Sequence, residues 1–257
     1  MGHSITLSDV SYAYQSNHQP DPVLHDLSFA VEEDEFLVVL GPSGCGKTTL
    51  LKAIAGLVEP TSGWITVDDD PVDGQRDDIS MVFQEFVLLP WKSVLENVAL
   101  GLTVQHGYGA KRRTAIAKEW IERVGLTDMI DAYPSDLSGG MKQRVGLARA
   151  LATDPAVLLM DEPFGALDAQ TKDRMQSVLL RLWDGDKTVI FVTHDIDEAL
   201  LLGDRVVVLS HRPSRVLRCI PVNFDRPRSD RRREIETSRR YGALKQELRA
   251  ELGLLTT

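Results

Sequence analysis

The chain has 257 residues and is expected to fold as an α/β protein. A mostly parallel sheet, an N-terminal antiparallel β-subdomain and an inserted α-helical subdomain are predicted by three observations. First, Phe36-Leu37-Val38-Val39-Leu40 is a continuous apolar run, typical of a strand covered on both faces, and residues 157–160, 188–193 and 205–210 repeat it. Second, segments of helical pattern at 170–183 and 195–202 separate those runs, as in βαβ units. Third, no strand pattern is visible between Glu85 and Ala152. There Ile116, Trp120, Ile121 and Val124 share one helical face, and Val145, Leu147, Ala148 and Leu151 build another.

The remaining elements follow in order. From Ile5 to about Phe29 polar and apolar residues alternate, as in half-buried antiparallel strands. A helix begins near Lys47 and stops around Gly56, placed as a C-cap, with Pro60 beyond. Residues 231–252 read as one polar terminal helix. One domain is therefore expected: a core from 1–84 and 156–225, a helical subdomain at 85–155, and a C-terminal helical tail at 226–257. No internal repeat or low-complexity linker is visible.

A formal net charge of −9 argues against a general nucleic-acid surface, and no nucleic-acid partner is expected. Positive charge is locally dense near the C-terminus, in Arg226-Pro227-Arg228 and Arg231-Arg232-Arg233, where interleaved acids point to a solvated helix face. Cys45 and Cys219 form no multi-bridge framework and no metal spacing, which fits a reduced, cytosolic compartment. No signal peptide is expected. No apolar stretch approaches the ~20 residues that span a bilayer, so work at a membrane requires docking onto something that does.

Gly41-Pro42-Ser43-Gly44-Cys45-Gly46-Lys47-Thr48-Thr49 fits the P-loop pattern and implies a nucleoside triphosphate. Its glycines let backbone N–H groups converge on phosphate, and the following helix adds its positive dipole end. Lys47 reaches the β/γ-phosphates, and the Thr48 hydroxyl can complete a Mg²⁺ octahedron. Cys45 at that helix start is either a reactive thiol or a spacer. Asp161 and Glu162 follow the strand at 157–160, at the carboxyl end where α/β sheets bind ligands. Asp161 suits Mg²⁺, and Glu162 suits a general base for water. Ser138 before Gly139 and Gly140 is a good N-cap, leaving N–H groups open to an anion.

Leu137-Ser138-Gly139-Gly140 followed by Gln143-Arg144, between the P-loop and the acid pair, resembles the signature motif of ABC transporter ATPases. The resemblance runs from Ile5 to about Leu217 and implies a P-loop NTPase (RecA-like) core and ATP hydrolysis. It also implies a head-to-tail homodimer or a paired ATPase subunit. Ser138, Gly139 and Gly140 then cover, in trans, the ATP held by the partner's P-loop. Tyr14, or alternatively Tyr12, matches the aromatic that stacks on adenine. Gln84 matches the glutamine that senses Mg²⁺ and the attacking water, His194 the switch histidine beside Glu162, and Ala166-Leu167-Asp168 the loop that communicates across the dimer. Met141 departs from the usual glutamine and Gly165 from a frequent serine. Leu88-Leu89-Pro90-Trp91, Ser-Gly-Gly-Met and His211-Arg212-Pro213-Ser214-Arg215 resemble the nitrate/sulfonate/taurine importer group, although glycine is usual at Ser214. Membrane permease subunits are accordingly expected to dock between Glu85 and Asn97, with a solute-binding protein acting indirectly. The expected location is peripheral, on the cytoplasmic face of the inner membrane. Importers of bicarbonate or a thiamine precursor, and a non-transport ABC ATPase, are the alternatives.

Overall fold

A computed structural model describes residues 1–15, 20–104, 108–183 and 185–253. In chain order its strands are β1 (Ile5–Tyr14), β2 (Asp21–Val31), β3 (Phe36–Leu40), β4 (Ser62–Val67), β5 (Asp70–Pro71), β6 (Ile79–Val82), β7 (Val157–Asp161), β8 (Thr188–Thr193), β9 (Arg205–Leu209) and β10 (Val216–Pro221). The helices are α1 (Lys47–Ile54), α2 (Val94–Val104), α3 (Ala110–Arg123), α4 (Gly139–Ala152), α5 (Ala169–Leu182), α6 (Ile196–Leu202), α7 (Arg232–Glu236) and α8 (Arg239–Glu251).

The strands form two sheets, ordered β2-β1-β4-β5 and β10-β9-β3-β8-β7-β6. The first is antiparallel. In the second, β9, β3, β8, β7 and β6 run parallel, and β10 is an antiparallel edge. Every residue of β3, β7 and β8 is buried, which is why these strands read as unbroken apolar runs.

Alternation of side chains along the strands builds two cores on opposite faces of the larger sheet. Phe36, Val38 and Leu40 join Leu158, Met160, Phe191 and residues of α2 to α6 and α8. Leu37 and Val39 join Leu159, Ile190, Val207, α1 and the small antiparallel sheet. Helices α2, α3 and α4 pack on one another, and among the described residues 85–152 contains no strand.

Three expectations change. Strands β4, β5, β6 and β10 carry no clear sequence pattern, because they are short or mostly exposed and bury few side chains. The single terminal helix is two, α7 and α8. Ser238 breaks it by accepting the Tyr241 N–H as N-cap of α8. Residues 254–257 of the expected tail lie outside those described. The arginine-rich segment is not simply a solvated face either. Arg228 is only 2 % exposed, and the Arg226 guanidinium stacks 3.6 Å from the Trp183 ring centre.

Candidate nucleotide-phosphate site

Strand register gathers the motifs at one edge. Leu40 pairs with Thr193, Asp161 with Val192, and Val82 with Met160. The segments leaving β3, β8, β7 and β6 therefore emerge side by side, carrying Gly41, His194, Glu162 and Gln84. Cross-strand bonds hold two of them: Gly41 N–H donates to Thr193 O at 3.3 Å, and Glu162 N–H to Val192 O at 3.0 Å. This is the carboxyl edge of a parallel sheet, where such folds place ligands.

Gly44 and Gly46 have φ of 76° and 111°, in the region that favours glycine. At Gly46 a Cβ would also sit 2.7 Å from Val23 Cγ1, so β2 packs directly on the loop. Lys47 is 4 % exposed. Its ammonium donates to the carbonyls of Gly41 (2.9 Å) and Pro42 (3.0 Å) and lies 3.2 Å from Glu162 Oε1. The Thr48 hydroxyl donates to Asp161 Oδ1 at 3.1 Å. Glu162 Oε2 lies 2.9 Å from His194 Nδ1. Tyr14, 44 % exposed, reaches Thr49 Oγ1 through its hydroxyl at 3.2 Å. Tyr12 meets Tyr14 edge-to-face and is partly buried against the core under β1. Tyr14, Ser43, Gly44, Gly46, Lys47, Thr48, Thr49, Gln84 and Glu162 line one cavity of about 300 Å³, together with Val23 and Arg212.

Burial raises the Asp161 pKa above the usual carboxylate value, and neighbouring Glu162 adds to the rise against the Thr48 hydrogen bond and Lys47. Burial likewise raises the Cys45 thiol, outweighing Lys47. With its side chain packed in the core, Cys45 is a spacer and the reactive-thiol expectation fails. Glu162 has φ of 40°, a left-handed conformation that costs a non-glycine residue about 1–3 kcal/mol.

The donor set suits a triphosphate with a hard cation. A buried ammonium among backbone carbonyls offers charge to phosphate, while a hydroxyl, a carboxylate and the Gln84 amide offer the few oxygens that Mg²⁺ takes from protein. Among the described residues no group of three or more His, Cys, Asp or Glu forms an all-protein cage. Such a cage is not needed where phosphates and water complete the octahedron.

The signature segment is elsewhere. The Ser138 hydroxyl caps α4 by accepting the Met141 N–H, Gly139 lies beside Leu167, and Ser138 and Gly140 line a separate cavity. Arg212 carried no site role in the sequence. Ser214 N–H donates to Val23 O at 2.9 Å and His25 N–H to Ser214 O at 3.0 Å, tying its loop to β2 and bringing Arg212 to the phosphate cavity. Arg212 Nε also donates to Pro22 O at 3.0 Å, and no local pattern reveals a contact between residues 190 apart.

Comparison with known proteins agrees with this geometry. The family model described as ABC transporter matches residues 24–165. The taurine import ATP-binding protein TauB of Rhizobium johnstonii is 49% identical over 232 residues, 89% of this chain and 88% of that protein. The bicarbonate transport ATP-binding protein CmpD of a Synechocystis species is 44% identical over 240 residues, 92% of this chain and 85% of that one. A dimeric ATP-binding cassette in a post-hydrolysis state, bound to ADP and Pi, superposes with a TM-score of 0.76 at 33% identity, covering 86% of this chain and all of that one. A glycine-rich loop with a buried lysine at the sheet edge, and relatives matched along most of its length, mean that the chain belongs to the ABC transporter family, as an ATP-binding and ATP-hydrolysing subunit.

Proposed function

We propose that this subunit powers import of a small anion of the nitrate, sulfonate, taurine or bicarbonate type, through ATP-driven closure of a dimer on a membrane permease. The names of the taurine and bicarbonate relatives support the substrate class. The single observation that carries the mechanism is the separation of Ser138 and Gly140 from the cavity of Lys47 and Glu162. One copy does not cover its own phosphate site, so a second copy supplies the signature segment in trans. The dimeric cassette among the solved relatives fits this arrangement.

The residues divide the work as follows. Tyr14 stacks on adenine, and the N–H groups between Gly41 and Thr49 cradle the phosphates. Lys47 exchanges its Glu162 partner for the β/γ-phosphates, which frees the Glu162 carboxylate to orient and deprotonate water. His194 holds Glu162 through Nδ1, leaving Nε2 for the γ-phosphate. Thr48, Asp161 and Gln84 would hold Mg²⁺, whose charge would offset that of the phosphates. Release of products ends the adhesion, because the ligand drives closure only through its higher affinity for the closed state.

Residues 85–155 act as a helical subdomain that receives the permease. Asn97 fixes the docking loop by accepting the Leu89 N–H and donating to the carbonyls of Leu89, Lys92 and Ser93. The loop presents Trp91, 70 % exposed, and the subunit sits at the cytoplasmic face of the inner membrane, with the solute-binding protein engaged only through the permease.

Glu162→Gln tests the mechanism. With Mg²⁺ and ATP it should elute as a dimer by light scattering and hydrolyse about 10²–10⁴-fold more slowly than the parent. A variant that stays monomeric at saturating ATP, alone and with its permease, rules out the trans-covered site. Uptake of labelled taurine, nitrate and bicarbonate by cells carrying the subunit and its permease tests the cargo class. Transport of none of them refutes it.

A further inference from the structure

A second cavity, about 670 Å³, runs between α4 and α5 and reaches α7. The chain carries −9 overall, yet Arg144, Arg174, Arg181 and Arg232 line this groove with a single carboxylate, Asp173. Asp173 is already engaged, its Oδ1 lying 3.0 Å from Arg232, which also bonds Glu236. Among the described residues Arg144 donates only to the carbonyls of Val124 and Gly125, at 3.2 and 3.3 Å. Arg181 donates to Ser177 O at 3.1 Å. Among the described residues, none of Arg144, Arg174 and Arg181 has a carboxylate partner, whereas Arg205, Arg218, Arg226 and Arg228 each sit on one.

Gathering unpaired like charges around a recess is costly. Burial, then the charge of Arg174, lower the Arg144 pKa. An anion in the groove would relieve both. Its shape is constrained as well. Arg174 and Arg181 stand seven residues apart on α5, about 10 Å along the axis, which is too far for one phosphate to bridge in full. A chain of phosphates matches that spacing and offers each guanidinium a bidentate partner.

We propose that the groove between α4 and α5 is a binding site for an elongated polyanion of the polyphosphate class, held by Arg144, Arg174 and Arg181. Ser138 lines the same groove, so an occupant would sit against the segment that caps α4 and bear on its freedom to move. The groove shares Ser138 and Gly140 with the proposed trans contact, but its arginines lie outside the cavity of Lys47 and Glu162.

Calorimetric titration with inorganic tripolyphosphate tests this, using the full chain carrying Lys47→Ala, without Mg²⁺, so that the P-loop contributes little. One equivalent should bind, and affinity should fall as ionic strength rises. Adding Arg174→Gln and Arg181→Gln should weaken it about tenfold or more, and adding Asp173→Asn instead should tighten it. Both arginines are exposed, and the far-UV spectrum and melting temperature report whether the fold survives their loss. A gain with Asp173→Asn cannot come from misfolding. No binding at millimolar tripolyphosphate, equal binding with and without the two arginines, or capture of a polyglutamate peptide in its place would each overturn the proposal.

Discussion

Asp161 carries a cost that only its site explains. It is buried beside Glu162, and its pKa is raised chiefly by that burial. A carboxyl group whose folded pKa exceeds its unfolded value binds its proton more tightly when folded. Its contribution to stability is therefore greatest in acid and declines as pH rises through the interval above the ordinary value of about 4. Asp161→Asn should consequently raise the melting temperature of the nucleotide-free protein at pH 7, and less so at pH 4. Hydrolysis should fall at least about tenfold, because an amide adds no charge at the position proposed to hold Mg²⁺. A lower melting temperature at pH 7 would contradict the burial argument. Glu162 illustrates what local sequence hides. Its candidacy as a general base was readable from its place after a buried strand, whereas its left-handed backbone and its contact with Lys47 were not. That conformation is held by Glu162 N–H to Val192 O and Gly165 N–H to Glu162 O, at 3.0 Å each.

Between elements, close approach matters more than composition. A Cβ at Gly140 would lie 2.4 Å from Thr171 Cγ2, so α4 and α5 touch where the signature segment begins. Gly140→Ala should cost about 1–3 kcal/mol in urea unfolding, and Thr171→Ser in the same chain should recover much of it by removing that methyl. An unaffected single variant would show that the contact yields freely. The far end of α6 depends on Arg228, whose pKa is pushed down to about 10, first by burial and then by Arg226. Its guanidinium donates to the carbonyls of Leu201 (3.3 Å) and Gly203 (2.6 Å) and to Asp204 Oδ1 (2.8 Å). Arg228→Met should destabilise by about 3 kcal/mol, because it strips partners from buried acceptors; a loss below about 1 kcal/mol would show that water replaces them. Composition suggested solvent for this arginine, since charge interleaving reports the neighbours in sequence and not those in space.

For the whole molecule, the phosphate cavity, the signature segment and the loop bearing Trp91 occupy separate places on one chain. A large exposed ring on a loop pinned by Asn97 is poorly explained by the core of this chain alone. Trp91→Glu should abolish co-purification with the permease while the ATP-dependent thermal shift persists. Retained co-purification would move the docking surface elsewhere.

The sequence by itself determined the α/β class, the order of the motifs and the glycine-rich loop that opens α1. Each of these is written in contiguous residues: apolar runs for buried strands, glycine spacing for the loop, acids at a strand end. Only the tertiary structure decided which strands are neighbours, and thereby that Gln84, Asp161, Glu162 and His194 leave the same sheet edge as the loop of Lys47. It also decided that Arg212 joins them, that Cys45 is sealed in the core, and that four arginines line one groove. Those outcomes depend on burial and on contacts between residues far apart in the chain, which no local pattern encodes.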